Sequence, residues 1–156
     1  MHARLVILLL LVFCFAPSGL AAGSTPRLNI ILPRGVQRGH EHVLRFSGAR
    51  LANAREVFLY EQGVEVIELS QVDGENVDVR IRVAPDCRPG EHVAQLRTER
   101  GISDFRSFYV GVLPELDEVE PNNSLDEAQS ISLNGTINGL VTNEDVDVYR
   151  VEAQQG

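Results

Sequence analysis

Oxygen-bearing side chains are concentrated in two stretches near the end of the sequence, and no other stretch is as dense in potential ligands. The first covers residues 115–123 and the second covers residues 143–147. Calcium takes about six to eight oxygen ligands from carboxylates, amides and carbonyls, so loops of this composition are suited to it. The alternative is a solvated acidic linker followed by a turn whose aspartates accept backbone hydrogen bonds. The sequence lacks a D-x-D-x-D-G loop, which excludes an EF-hand.

Three histidines are the next candidates, because imidazole is a common metal ligand. His40 and His42 are two residues apart, so a strand would place them on the same side, and His92 could complete a metal site with them. However, the HExxH pattern is absent and no third ligand lies at a spacing typical of a metal site. The sequence therefore favours the alternative, which is a set of surface histidines near the start of a strand.

Residues for nucleophilic catalysis are not arranged in any recognisable pattern. Cys87 is the only cysteine after residue 22, and its surroundings, P-D-C-R-P-G at 85–90, are typical of a turn, so we interpret it as a buried or half-buried turn residue. The G-x-S-x-G, G-x-G-x-x-G and CxxC motifs are absent. All 14 basic residues are arginine, which excludes lysine Schiff-base and P-loop chemistry within this chain. We predict that the chain is not an enzyme.

Charge and hydrophobicity divide the 156 residues into three parts. Residues 1–22 combine one arginine, an apolar run at 5–15 and small residues, as in a secretory signal peptide; the alternative is an uncleaved anchor. The apolar run is shorter than the roughly 20 residues that span a bilayer, so we predict an exported protein without a stable membrane span, located in the periplasm, at the cell surface or outside the cell.

The remaining chain changes abruptly in charge. Residues 23–112 contain 12 arginines and 12 acidic residues, whereas residues 113–156 contain one arginine and 10 acidic residues. This change predicts a domain boundary, with a linker at 113–118 and a second module at 119–156. The overall charge of -8 argues against a nucleic-acid partner, because such proteins need a basic surface. The absence of tryptophan and an aromatic content of 6% argue against a large aromatic binding platform.

Alternating hydrophobicity indicates that the module at 23–112 is built from strands. The sequence N-V-D-V-R-I-R-V at 76–83 places four aliphatic side chains on one face and charged side chains on the other. Only a short loop separates it from the next predicted strand at 92–97, so we predict that the two pair as a hairpin. About seven short strands at this spacing predict an antiparallel β-sandwich. The other predicted strands cover 27–32, 42–47, 56–60, 64–71 and 103–112.

Two further local features are predicted. The outward-facing arginines Arg80, Arg82 and Arg97 are expected to pair across strands with Asp78, Glu91 and Glu99; the alternative is a stripe that faces an acidic partner. The only helix candidate is the short stretch 124–129. Ser124 could cap its N-terminus, with Glu127 at the capping-box distance.

Two groups of motifs resemble known domain families. The stretch 27–35, followed by Gly39 and by F-S-G-A-R-L at 46–51, resembles the opening of IPT/TIG-type immunoglobulin-like domains. The later motifs are similar to the start of a bacterial pre-peptidase C-terminal (PPC) domain. Together the two resemble a paired module of exported multidomain proteins of planctomycete-type bacteria. The PPC-like motifs are E-V-E-P-N-N-S at 118–124, Ala128, I-N-G at 137–139 and D-V-D-V-Y at 145–149.

This resemblance implies an all-β fold, with an immunoglobulin-like antiparallel β-sandwich at 23–112 followed by a truncated PPC-like sandwich at 119–156. A PPC domain has strands beyond residue 156, so the sequence is expected to be a fragment of a longer protein; partial disorder of its C-terminal part is the alternative. The implied function is non-catalytic: binding or positioning of an extracellular polysaccharide, a protein, or a catalytic domain in the same polypeptide. Two alternatives stay open, the non-catalytic portion of a secreted peptidase and a structural spacer in a cell-surface array.

The resemblance also implies a ligand set for calcium. In some PPC-like modules, calcium lies where the E-x-E-x-N segment meets an aspartate-bearing loop. No other cofactor is expected. The matching positions in this sequence are Glu118, Glu120, Asn122, Asn123, Asp145 and Asp147.

Overall fold

The computed structural model describes residues 25–142 and 145–153, so the predicted signal peptide lies outside the described residues. The described chain consists of strands, turns and loops, and contains no helix that could cross a membrane. Residues 25–112, here called the sandwich, contain nine strands. They are β1 (Arg27–Leu32), β2 (Gly35–Gln37), β3 (Glu41–Ala49), β4 (Ala54–Leu59), β5 (Val64–Gln71), β6 (Asn76–Val83), β7 (Gly90–Thr98), β8 (Gly101–Ile102) and β9 (Arg106–Gly111).

The sandwich is made of two sheets. One sheet has the order β1-β3-β6-β5 and is entirely antiparallel. The other has the order β2-β9-β7-β4, with β8 added to β7, and is antiparallel except for the parallel pair β2 and β9. The predicted immunoglobulin-like, all-β class is therefore confirmed. The first stretch of chain contributes to both sheets, through β1 to one and through β2 to the other.

The core lies between the two sheets, and the alternation in β6 is as predicted. Its four aliphatic side chains, Val77, Val79, Ile81 and Val83, are buried, whereas Arg80 and Arg82 are exposed. This is what a strand with one face on the core and one in solvent requires. The other sheet supplies the facing layer. It includes Val57, Ala94, Leu96, Phe108 and Val110.

The predicted hairpin between β6 and β7 is wrong. The two strands are neighbours in sequence, but β6 pairs with β3 and β5, whereas β7 pairs with β4 and β9 in the opposite sheet. The connection at 84–89 crosses from one sheet to the other, and Cys87 is buried against the core at its middle. Both strands have an apolar inner face, so placing them in opposite sheets buries these faces against each other.

The exposed arginines pair across strands, but not with the predicted partners. Arg80 contacts Glu68, Arg82 contacts both Glu41 and Glu65, and Arg97 contacts Glu56. The register of each sheet places these residues on adjacent strands, and the register could not be read from the sequence. Of the predicted carboxylate partners, Asp78 instead pairs with Arg45 and Glu99 with Arg55.

The residues after the sandwich, 113–142 and 145–153, are here called the C-terminal segment. They form two small sheets of two parallel strands each, β10 with β12 and β11 with β13. The predicted linker at 113–118 thus includes a strand. The strands are β10 (Glu115–Asp117), β11 (Gln129–Ile131), β12 (Thr136–Asn138) and β13 (Tyr149–Val151).

The predicted helix at 124–129 does not form. The Glu127 amide donates to the Ser124 carbonyl, 3.1 Å away, and the Ser124 hydroxyl donates to the Glu127 carboxylate, but the chain makes only this one turn. From Gln129 onward the backbone pairs with β13. One turn fixes several dihedral angles for a single hydrogen bond, so strand pairing prevails over helix growth here.

The C-terminal segment is joined to the sandwich through Glu115 and Asn138. The Asn138 side chain accepts a hydrogen bond from the Gly35 amide (2.9 Å) and donates to Glu115 Oε2 (3.0 Å). A Cβ atom on Gly35 would lie only 2.9 Å from the Glu115 carboxylate, so a larger residue here would require the Glu115 side chain to shift. Burial raises the pKa of Glu115, the Asp117 charge adds a smaller increase, and the Asn138 hydrogen bond opposes both.

Glu115→Gln is expected to reduce the pH dependence of stability. Because the folded-state pKa is raised, ionisation of Glu115 opposes folding. Its contribution is most favourable below the unfolded carboxyl pKa of about 4.3 and is lost as the pH rises through the folded pKa. Urea unfolding at a series of pH values should show wild type losing stability relative to Glu115→Gln as the pH rises. A difference between the two proteins that does not vary with pH would contradict this assignment, and Glu127→Gln, at an exposed turn, is the control.

Candidate cation site

Three carboxylates meet in the C-terminal segment. Glu118 directly follows β10, Glu120 lies two residues later, and Asp147 lies two residues before β13. One carboxylate oxygen of each residue lies within 4.8 Å of the corresponding oxygen of the other two. Residues about 27 positions apart in sequence are thereby brought to one point, and the side chains all offer oxygen, the donor that hard cations prefer.

Asn122 holds this group of carboxylates together. Its side chain is fully buried, and Nδ2 donates to Glu118 Oε1 at 3.1 Å. Its backbone amide donates to Glu120 Oε2 (2.9 Å), and its carbonyl accepts from the Val148 amide (2.9 Å). Asn122 therefore fixes the E-x-E-x-N stretch against the segment that carries Asp147 and leads into β13.

Two oxygens at the site are buried without a hydrogen-bond donor. They are Asn122 Oδ1 and Asp147 Oδ1. Buried polar atoms in folded proteins are nearly always partnered, so an orphaned amide oxygen and an orphaned carboxylate oxygen at one place need an explanation. A bound cation supplies one, because it accepts lone pairs from both kinds of oxygen. The residues present therefore fit calcium.

The charges at the site are also unbalanced. Glu118 accepts hydrogen bonds from the Tyr149 hydroxyl (2.5 Å) and from the Leu140 amide (2.9 Å), and these lower its pKa. Desolvation raises the pKa of Asp147, and the nearby negative charge of Glu118 raises it further. The Glu118 carboxylate in turn raises the pKa of Tyr149 to about 12. The surroundings therefore stabilise the ionised form of Glu118 and destabilise the ionised form of Asp147.

The last two predicted ligands lie at the rim of the site. Asp145 Oδ2 accepts from the Thr142 amide (2.8 Å) and hydroxyl (3.1 Å), which uses part of its capacity to bind a cation. With its side-chain amide in the orientation that satisfies both ends, Asn123 donates to Asp145 Oδ1 at 3.2 Å. Asn123 and Asp145 line a groove of about 580 Å³ together with Glu118, Glu120 and Arg34 of the sandwich. Asn122 and Asp147 do not line it.

Tyr149 and Asn138 were not predicted as site residues. The position of Tyr149 could have been predicted from the sequence. Asp145, Asp147 and Tyr149 alternate with valines, so an extended chain places all three on the same side. Nothing comparable marks Asn138, whose bonds to Gly35 and Glu115 depend on how the two parts of the molecule meet.

The histidines do not form a metal site within residues 25–142 and 145–153. The His40 and His42 ring centroids are 6.4 Å apart, and His42 Nε2 lies 2.8 Å from the Gln37 carbonyl oxygen. His92 is buried, so its interpretation as a surface residue is wrong. It donates to the Arg88 carbonyl at 2.8 Å and contacts Cys87.

Cys87 is a buried residue of a turn, as predicted. Its side chain is 2% exposed and belongs to the core of the sandwich. Desolvation raises the pKa of the thiol, which disfavours the reactive thiolate.

The order of strands in its two sheets defines residues 25–112 as an immunoglobulin-like β-sandwich. No protein-family model matches the chain, and no curated protein matches it. The IPT/TIG and PPC resemblances thus stay predictions.

The solved structures that are similar to the chain include the following two. One is SGBP-B from a Bacteroides ovatus mixed-linkage glucan utilization locus, in complex with a mixed-linkage heptasaccharide. It is 16% identical over 70% of this chain and 26% of that chain, with a TM-score of 0.43. The other is a mutant complex of titin and obscurin-like 1 immunoglobulin domains. It is 21% identical over 57% of this chain and 96% of that chain, with a TM-score of 0.34. The match thus spans about a quarter of SGBP-B, and neither similarity carries information about ligands.

Proposed function

We propose that this chain is a non-catalytic binding and positioning module of an exported protein, and that calcium fixes its C-terminal segment. The sandwich provides a rigid body. The acidic site lies where the C-terminal segment leaves β10 and returns at β13, so a cation bound there would hold these two stretches together. The module would bind or position an extracellular polysaccharide, a protein, or a catalytic domain in the same polypeptide.

The observation that carries the calcium proposal is the pair of orphaned oxygens, Asn122 Oδ1 and Asp147 Oδ1, beside the clustered carboxylates. An acidic cluster at a surface needs no cation, because water solvates it. A fully buried asparagine with an unpartnered oxygen is different, since its desolvation is not offset by a hydrogen bond. Glu118, Glu120, Asp147 and Asn122 would be the ligands, with Asn123 and Asp145 completing the site at its rim.

Calcium titration of the chain without its predicted signal peptide tests this proposal. We expect measurable heat in calorimetry and a higher melting temperature with calcium, because a ligand at about 100 times its Kd stabilises a folded protein by about 2.7 kcal/mol. Asp147→Asn should weaken calcium binding at least tenfold, because it removes a negative charge from the ligand set. Asp126→Asn, in the exposed turn of the same segment, is the matched control and should bind as wild type does.

The absence of both heat and a melting shift in wild type at about 10 mM calcium would overturn the calcium site, because extracellular modules bind calcium with Kd values of about 0.1–1 mM. Equal weakening by Asp147→Asn and Asp126→Asn would show that only the overall charge matters. Wild-type affinity in Asp147→Asn would remove Asp147 from the ligand set.

A further inference from the structure

The outer face of the sheet β2-β9-β7-β4 carries exposed aromatic side chains. Tyr60, Phe105 and Tyr109 are 61%, 67% and 50% exposed. Single exposed apolar residues are ordinary, but a cluster of large ones on a sheet face indicates a surface that is covered in use. Tyr60 and Phe105 line one groove of about 410 Å³, here called the aromatic groove. Its other lining residues are Glu61, Val93 and Gln95.

The order of strands explains how this groove is built. Strand β7 lies between β4 and β9 and supplies the floor of the groove through Val93 and Gln95. Tyr60 directly follows β4 and Phe105 directly precedes β9, so one aromatic residue stands on each side of β7. Two strand spacings separate their backbones by about 10 Å. The groove therefore has a floor of one apolar and one amide side chain, with an aromatic residue on each side.

The polar groups of the groove are held in fixed positions. The Gln95 amide nitrogen donates to the Ser103 carbonyl at 2.7 Å, and the Tyr60 hydroxyl donates to Gln95 Oε1. Glu61 Oε2 accepts from the Val93 backbone amide at 2.9 Å. These bonds use the hydroxyl proton of Tyr60 and one of the two N–H donors of Gln95. What is left for a ligand is chiefly acceptor capacity, on the second Glu61 oxygen and the lone pairs of the Tyr60 hydroxyl, together with the second Gln95 N–H.

The electrostatics of the groove select among ligands. Its lining includes one carboxylate and no arginine, so an anionic ligand such as a phosphate or a uronic acid would be repelled. The face of an aromatic ring is negative and attracts electropositive C–H bonds. A ligand that is complementary to this groove is therefore uncharged, has C–H faces to lie on the rings, and has hydroxyl groups to donate to Glu61 and Tyr60. Sugar rings have these properties.

We propose that the aromatic groove binds a neutral glycan, with sugar rings lying on Tyr60 and Phe105 and hydroxyl groups donating to Glu61. This rests on the proposed function in one respect, that the module binds an extracellular partner. The electrostatic complementarity favours a glycan over an apolar protein surface, which would contact both rings but offer no donor to the second oxygen of the Glu61 carboxylate.

The test is affinity electrophoresis of the whole chain in gels that contain a neutral polysaccharide: mixed-linkage β-glucan, xylan, galactomannan or starch. Polygalacturonate is the acidic comparison. We expect retardation by at least one neutral polymer and none by polygalacturonate. Phe105→Ala and Tyr60→Ala should each reduce the affinity at least tenfold, and Glu61→Gln should also reduce it. Tyr109→Ala is the matched control, since Tyr109 is an exposed aromatic of the same sheet outside the groove, and it should bind as wild type does.

Three results would overturn the proposal. The first is that no neutral polysaccharide retards the wild-type chain. The second is that Phe105→Ala and Tyr109→Ala weaken retardation equally, so that the groove is not the site. The third is that the groove variants change only self-association, measured by sedimentation, which would make the groove a protein interface. Melting curves confirm that each variant is folded.

Failure of the glycan proposal can be distinguished from failure of the calcium proposal. Asp147→Asn should leave polysaccharide retardation unchanged, and Phe105→Ala should leave the heat of calcium binding unchanged. Either activity can therefore be absent while the other is present.

Discussion

Gly48→Ala is expected to destabilise the sandwich by about 3 kcal/mol, at the upper end of the usual range for overpacked cores. A Cβ atom on Gly48 would lie 1.9 Å from the Arg27 carbonyl oxygen and 3.0 Å from Leu28 Cα. Both atoms belong to the backbone of β1, so no side-chain rotation can relieve the overlap. Gly48 lies on β3, so β1 and β3 would have to separate. Their register is already irregular at this place, between Leu28 and Ile30 of β1.

Urea unfolding measures this effect, and Gly74→Ala is its control. A Cβ atom on Gly74 would meet no heavy atom within 4 Å, so that substitution should change stability by less than about 0.5 kcal/mol. If Gly48→Ala were as stable as Gly74→Ala, the close approach of β1 to β3 would be wrong. A change confined to Gly48→Ala would show that this single contact sets the spacing of the edge strand.

Phe108→Ala is expected to cost about 3–5 kcal/mol, the range measured when large aromatic residues are removed from cores. Phe108 lies on β9, is fully buried, and has its ring centroid 5.8 Å from that of His92. Alanine would leave a cavity between the two sheets, and the paired strands around it cannot close completely. Marginal stability is usual for a domain of this size, so a loss of this magnitude removes much of the total.

The matched control for Phe108→Ala is Phe105→Ala, three residues earlier in the chain. Phe105 is 67% exposed, and its truncation should change the free energy of unfolding by less than about 0.5 kcal/mol. Because both substitutions replace phenylalanine by alanine, a difference between the two variants reports the burial of the side chain and not the residue type. Equal losses in the two variants would contradict the assignment of Phe108 to the inner face and Phe105 to the outer face.

The alternating pattern in β6 predicts its inner and outer faces, because period-two hydrophobicity depends only on local geometry. Strand pairing is different. Which arginine meets which glutamate, and whether β6 pairs with β7, depend on register and on sheet assignment. These are decided by contacts between distant residues, such as Arg82 with Glu41. The sequence shows that charges lie outside but not where their partners are.

The candidate cation site was predicted in part for a related reason. The motifs around Glu118 and Asp147 identify two oxygen-rich stretches. That calcium binds where the two stretches meet remains a prediction. The unequal roles of the residues could not be predicted. Asn122 is a buried support with one free oxygen, whereas Asp145 is partly engaged by Thr142. Such differences arise from three-dimensional hydrogen bonding, which composition does not specify.

The aromatic groove shows the limit of composition most directly. A low aromatic content argued against a large binding platform, and this average holds for the chain. It does not describe where the few aromatic residues are placed. Tyr60 and Phe105 are far apart in sequence and flank β7 only because β4 and β9 both pair with it.

The parallel pairing of β2 with β9 has a mechanical consequence. The chain enters β2 at Gly35 and leaves β9 at Gly111, which lie at opposite ends of the parallel pair, so tension applied across these two residues pulls the strands in opposite directions along their length. Hydrogen bonds such as Tyr109 N to Arg34 O (2.7 Å) and Arg38 N to Gly111 O (3.0 Å) are then loaded together in shear. Hydrogen bonds loaded in shear share the force and must break together. When two strands are instead pulled apart from one end, their hydrogen bonds break one after another. The pair of β2 with β9 is therefore expected to resist extension of the chain between residues 35 and 111.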